Sequence, residues 1–120
     1  MNIGDIHRLT HVVGAGDTAE ILGSGGLPVY STPSMICLME LTAYKLAEQK
    51  GHQTVGTKVS ISHLKASKVG TELTAVAEVI EFEGRRILYK VTVADEAGLV
   101  GEGTHERFII DPERFMAKLK

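Results

Sequence analysis

Residues 31–49 read STPSMICLMELTAYKLAEQ, and the spacing predicts one long helix with a carboxylate in its middle. Pro33 suits a first helical position, where its missing N–H is no loss. Thr32 before it suits the N-cap, with a hydroxyl free to accept from an orphan amide. Met35, Ile36, Cys37, Leu38, Met39 and Leu41 leave almost no polar face, and a helix apolar all round belongs in a core. Polarity returns at Lys45, Glu48, Gln49 and Lys50, and Gly51 supplies the stop. Glu40 interrupts the apolar half. Its neighbours one turn away in either direction are Ile36 and Tyr44, so the helix itself offers no cation. A carboxylate buried there without a partner is unfavourable and its proton affinity should rise. That marks Glu40 as functional, unless a strand brings a partner to it. Cys37, on the same helix, reads as a small buried hydrophobe rather than a reactive thiol.

The rest of the chain limits what such a helix can belong to. A chain of 120 residues with 43% apolar and 23% charged residues is expected to form one domain, residues 1–120, with a real core. The formal net charge of −2 and the lack of a basic stripe argue against a nucleic-acid partner. One cysteine excludes an internal disulfide and any paired-cysteine metal or redox motif. No apolar run has the length of a membrane helix, and the first residues, with Asp5 among them, do not read as a secretory leader. These features point to the cytoplasm and away from a membrane.

Beyond Gln53 the apolar period becomes two, the sign of strands. Four are predicted: 55–66, 71–82, 85–94 and 99–110. Leu73, Ala75, Ala77 and Val79 share one face of the second, and Ile87, Tyr89, Val91 and Val93 share one face of the third. Glu83-Gly84 between them is a hairpin signal that needs a positive φ. Asp111-Pro112 caps a short helix over 113–119, with Phe115 and Leu119 facing the body. Before the long helix, residues 1–9 read as a lead-in, 11–13 as a short strand, and 17–28 as weak helix followed by a glycine-rich loop. One buried helix followed by antiparallel hairpins is an α+β, two-layer design. A helix apolar all round needs more cover than one sheet face provides, so the sheet must curl around it, a second copy must complete the burial, or both.

Three residues suit acid–base chemistry on that frame. His63 shares a strand face with Val59 and Ile61. If that face packs on the helix, His63 meets Glu40, and a carboxylate and an imidazole can orient and tune each other. Otherwise His63 is a satisfied core histidine. Thr32, at the helix start, combines a hydroxyl with the favourable field for a developing oxyanion. Gly56, opening the His63 strand, permits close backbone approach and offers an N–H to a carbonyl. His7, His11, His52 and His105 lack metal-ligand spacing, so no metal and no cofactor is expected. The run Gly103-Thr104-His105-Glu106-Arg107 is polar for a strand, which charged cross-strand pairing explains.

Taken together, Thr32, Met35, Leu38-Met39-Glu40, Gly56-Thr57, His63, Glu83-Gly84-Arg85-Arg86 and Gly103-Thr104-His105-Glu106-Arg107-Phe108 resemble the fluoroacetyl-CoA thioesterase family. The resemblance runs from about residue 29 to the C-terminal helix. It implies a hotdog fold, a curved antiparallel sheet wrapped on one long helix, assembled as a homodimer or a dimer of dimers. It implies hydrolysis of an acyl-CoA thioester by Thr32, Glu40 and His63, with the Gly56 backbone and Arg107 beside the substrate. Glu40 is then either nucleophile or base, and Thr32 is either oxyanion donor or nucleophile. In the fluoroacetate-specific enzyme, phenylalanines before the helix form a hydrophobic gate; here residues 22–28, LGSGGLP, contain none. A general short- to medium-chain acyl group is expected instead. Lys65, Lys68, Arg85 and Arg86 are candidates for the CoA phosphates. The alternatives are an enoyl-CoA hydratase on the same fold and a non-catalytic acyl-CoA binder.

Overall fold

The computed structural model describes residues 1–119. Five antiparallel strands form one sheet: β1 (Ile6–Val12), β2 (Gln53–His63), β3 (Glu72–Glu83), β4 (Arg86–Asp95) and β5 (Gly98–Ile110), in the spatial order β1-β3-β4-β5-β2. A 3-10 turn at Ala15–Asp17 and a single helical turn, α1 (Ala19–Leu22), lead to the long helix α2 (Thr32–Gln49). A short α3 (Pro112–Ala117) ends the fold. This α+β arrangement, one long helix laid across an antiparallel sheet, is the expected hotdog architecture.

Alternation builds the centre of the sheet. Leu73, Ala75, Ala77 and Val79 of β3 and Ile87, Tyr89, Val91 and Val93 of β4 are each 0% exposed. They meet Met35, Met39, Ala43, Leu46 and Ala47 of α2 in one core. The two strands are joined at Gly84, whose φ of 61° satisfies the hairpin's need for a left-handed residue.

Several expectations are corrected. The lead-in is a strand: Ile6 to Val12 pair with Glu78 to Glu72 of β3 and form one edge of the sheet. Its IHRLTHV sequence carries only a half-buried alternation, too weak to stand out from a loop. Helix α2 is not enclosed on every side, since Cys37 is exposed and Leu41 is 44% exposed. Helix α3 is capped as expected by Asp111, which accepts from the Arg114 amide. Phe115 and Leu119, however, are exposed rather than packed on the body.

The edge strand β2 differs from its neighbours. A register shift between Gly56 and Lys58 interrupts its ladder with β5. The bulge switches parity: Thr54 points inward before it, and Ile61 and His63 are the more buried positions after it. Lys58, Val59 and Ser60 in the middle are all exposed. Among the described residues of the protomer β2 has one strand neighbour, β5, so its other edge presents unpaired backbone groups.

Candidate active site

The first group of polar side chains lies at the start of α2. Ser31, not Thr32, is the N-cap; its hydroxyl accepts from the Ser34 amide at 3.1 Å. Thr32 is the first helical residue, with Pro33 second. The capping job therefore does not occupy the Thr32 hydroxyl, which lies 2.8 Å from Nδ1 of His63. Tyr30 meets the His63 ring edge-on at 6.5 Å. Burial pushes the Tyr30 phenol pKa up, so Tyr30 acts here as a neutral wall. Nε2 of His63 is shielded from solvent and has no hydrogen-bond partner among the described residues. A cavity of about 330 Å³ opens beside this pair, with Ala19, Ser24, Val29 and Ala66 among its lining residues.

The second group surrounds Glu40, and here two expectations fail, its burial and its approach to His63, while the strand-borne partner that the sequence left open is present. Glu40 is not buried, its side chain being 42% exposed, and it is not alone: Nη1 of Arg107 lies 3.6 Å from its Oε2. The cation comes from β5. Nor does Glu40 face His63, because the imidazole nearest to it is His105, with Nε2 3.9 Å from Oε2. Sequence alternation places a residue on a face but does not say where along the helix that face is met.

Arg107 is only 6% exposed, yet it is well supplied with acceptors. Its Nε donates to Thr54 Oγ1 at 2.8 Å, Nη2 to the Thr54 carbonyl at 3.0 Å, and Nη1 to His105 Nε2 at 3.1 Å. Its guanidinium also lies over the Tyr44 ring, 5.6 Å from the centroid. Burial holds the pKa of Arg107 below the usual arginine range, and Glu40 acts against that. His105 is 1% exposed, stacked on Tyr89, with Nδ1 2.8 Å from the Lys58 carbonyl. Burial depresses its pKa and the neighbouring Arg107 adds to the effect, while the Lys58 carbonyl, Glu40 and Glu106 oppose it.

Gly56 closes this group. A Cβ there would stand 2.9 Å from Glu40 Oε2, 3.1 Å from His105 Cε1 and 3.2 Å from Arg107 Nη1. A side chain at position 56 would displace the Glu40 carboxylate and crowd His105 and Arg107, the close approach that its place at the head of β2 suggests. The five residues expected in one site fall into two groups: Gly56, Glu40 and Arg107 lie together, and Thr32 and His63 form a separate pair. His105, Thr54, Tyr44 and Tyr89 are members that sequence reasoning did not single out. The signal for them was the spacing of His105 and Arg107, two apart on a strand and therefore on one face.

The two groups are apart within one protomer. Eight residues of helix separate Thr32 from Glu40, about 12 Å along the axis. Among the described residues no cluster of histidine, cysteine or carboxylate side chains could hold a metal ion. Two of the expected phosphate cations are engaged elsewhere: Lys65 pairs with Asp95, and Arg86 with Glu106 and Glu81.

Comparisons with known proteins bear on this geometry. Residues 13–113 match the family model described as fluoroacetyl-CoA-specific thioesterase. A fluoroacetyl-CoA thioesterase from Streptantibioticus cattleyicolor is 34% identical over 95 residues, 77% of this chain and 68% of that protein. A solved structure of the fluoroacetyl-CoA thioesterase FlK superposes with a TM-score of 0.91 at 30% identity, covering 99% of this chain and 95% of that one. A variant of FlK in complex with fluoroacetate and CoA gives 0.89 at 29% identity, covering 96% and 99%. A thioesterase superfamily member from Thermus thermophilus gives 0.88 at 28% identity, covering 98% and 89%.

Proposed function

The chain belongs to the fluoroacetyl-CoA-specific thioesterase family and hydrolyses acyl-CoA thioesters; from that premise we propose that Thr32, Glu40 and His63 carry the reaction at a site completed by a second copy of the chain. The observation that carries the assignment is the 2.8 Å contact between Thr32 and His63, with Nε2 left shielded and unpartnered among the described residues. When the Thr32 hydroxyl donates to Nδ1, the ring proton resides on Nε2, free for a departing thiolate. The missing element is a carboxylate. Glu40 of the same protomer is about 12 Å along the helix, but the exposed edge of β2 offers another source.

An antiparallel two-fold pairing of β2 with its copy, centred near Val59 and Ser60, brings His63 of one protomer alongside the Gly56–Lys58 bulge of the other. The Glu40–Arg107 pair lies against that bulge, so each dimer gains two composite sites. Centring on Val59 and Ser60 also keeps Lys58 from lying directly opposite its own copy, which like charges disfavour. The pairing satisfies the free edge of β2 and covers Val59, otherwise 40% exposed.

At such a site the thioester carbonyl lies at the start of α2, where amide dipoles favour the developing oxyanion. The Gly56 backbone lines the other side. Glu40 of the partner subunit, oriented by that subunit's Arg107, activates a water. Glu40 takes a proton from the water as the water oxygen bonds to the carbonyl carbon. The C–S bond then breaks, the Nε2–H of His63 donates a hydrogen bond to the departing thiolate, and the thiolate takes up the proton that Glu40 holds. The cavity beside Thr32, whose lining mixes small side chains with Tyr30, Leu64 and Lys65 and which is approached by a loop without phenylalanine, suits a short- to medium-chain acyl group rather than fluoroacetyl alone. The single cysteine, unpaired, suits a reducing compartment, and we place the protein in the cytoplasm.

Release of free CoA thiol from acetyl-, fluoroacetyl-, butyryl-, hexanoyl- and aryl-acetyl-CoA tests the reading. Turnover that ranks butyryl or hexanoyl above fluoroacetyl, and that falls in both Glu40→Gln and His63→Ala, supports it. Selective fluoroacetyl turnover contradicts the substrate assignment. Full activity in either variant removes that residue from the mechanism.

A further inference from the structure

The interior of the Glu40 group contains a histidine that the reaction above does not use. We propose that His105 is a positioning residue: protonated on Nδ1 and bare on Nε2, it joins the β2 bulge to Arg107 and so sets where Arg107 holds Glu40. The proposal rests on the thioesterase reading for its kinetic part only.

The tautomer follows from the partners. Nδ1 lies 2.8 Å from the Lys58 carbonyl, which can only accept, so Nδ1 carries the proton. Nε2 lies 3.1 Å from Arg107 Nη1, which can only donate, so Nε2 presents a lone pair. A ring protonated on both nitrogens would set an N–H against the guanidinium N–H. The groups that face His105 are Glu40 from α2, the Lys58 carbonyl from β2, Tyr89 from β4 and Arg107 from β5, with the charge of Glu106 acting from the opposite face of the sheet. Its depressed pKa is consistent with a neutral ring. Tyr89, 0% exposed and stacked at 6.3 Å with planes 25° apart, holds the ring orientation.

The consequence reaches the carboxylate through one atom. Nη1 of Arg107 is shared between His105 Nε2 and Glu40 Oε2. Thr54 holds the other side of the guanidinium through Nε and Nη2. Without an acceptor at the ε position of residue 105, Nη1 loses its lateral anchor and can follow Glu40 toward solvent. The Lys58 carbonyl belongs to the bulge itself, so the same imidazole fixes the strand that carries Gly56.

Two substitutions separate the two ring nitrogens. The longer amide of His105→Gln restores an acceptor near the ε position, and the shorter amide of His105→Asn restores a donor near the δ position only. His105→Gln is expected to keep most of the wild-type kcat. His105→Asn is expected to lose it by about 10²-fold, the effect of misplacing a catalytic group by about an ångström, with KM little changed in both. The tautomer is read separately on the wild-type chain, labelled with ¹⁵N-histidine, by long-range ¹H–¹⁵N correlation. A proton on Nδ1 of His105 is expected. A proton on Nε2, or equal loss of kcat in the two variants, overturns the proposal. If the wild-type chain releases no thiol from any thioester, the thioesterase reading fails, while the tautomer measurement still decides the positioning claim.

Discussion

The β3–β4 hairpin and the edge strand β2 belong to one sheet and do opposite things. The hairpin alternates along its inner face from Leu73 to Val79 and from Ile87 to Val93, and keeps its one register shift, between Val79 and Glu81, beyond that buried stretch. It turns on one glycine and buries Leu73, Ala75, Ala77, Val79, Ile87, Tyr89, Val91 and Val93 completely. Strand β2 breaks its alternation at a bulge, exposes its middle, and leaves one edge unpaired among the described residues. The groups proposed to carry the chemistry gather at the second. His63 is on β2, Glu40 and Arg107 press against Gly56, and His105 is tied to the Lys58 carbonyl. The core and the proposed site thus draw on different strands of one sheet.

That division can be broken by substitution. Glu40→Gln removes the carboxylate and leaves the packing alone; kcat is expected to fall about 10²- to 10⁴-fold with an unchanged melting curve. Val59→Lys sets a charge on the proposed two-fold. It is expected to convert the protein to monomers in sedimentation velocity and to abolish most thioesterase activity, while circular dichroism stays native. Ile87→Ala attacks the hairpin instead and should lower stability by about 2–5 kcal/mol through the cavity it leaves, with kcat of the folded fraction near wild type in assays well below the melting temperature. Ser31→Ala removes the true cap of α2 and should lose about 1 kcal/mol in chemical denaturation, more than Thr32→Ala loses.

The smallest effect concerns pH. The hydrogen bond from Arg86, helped by one from Thr57, holds the Glu106 carboxyl below the usual glutamate range. A depressed folded pKa lends stability that is fully present above the unfolded value of about 4.3 and disappears as pH falls through the lower folded value. Glu106→Gln should therefore flatten the acid side of the melting-temperature profile. Glu106 is only partly buried and solvent screens its pairing with Arg86, so the change is expected to be slight.

The same two strands explain what is legible in the sequence. Alternation in 73–79 and 87–93 states the hairpin's inner face residue by residue, because burial there follows the pleat. The long helix is equally plain from its apolar run and its Gly51 stop. For β2 the pattern holds after the bulge, where Ile61 and His63 are the inward positions, and fails before it, since one inserted residue at Gly56–Lys58 puts Thr54, of the opposite parity, on the same face. Glu40, Thr32 and His63 stand out as chemically costly or well-placed groups. Their grouping does not, because it depends on where the helix crosses the sheet and, for a composite site, on a second chain. By pattern alone Arg107 and His105 read as charged cross-strand pairs, since a polar run in a strand looks the same whether it faces water or a buried network.

Mixing two inactive variants tests the composite site most directly. Glu40→Gln and His63→Ala proteins, each purified alone, are combined, exchanged through mild denaturation and refolded together, and assayed for thiol release. A site shared across the dimer is restored in one of the two positions of each mixed dimer, so about a quarter of wild-type activity is expected from random pairing. A mixture as inactive as its two components would contradict the account and place Thr32, Glu40 and His63 in one protomer or outside the reaction.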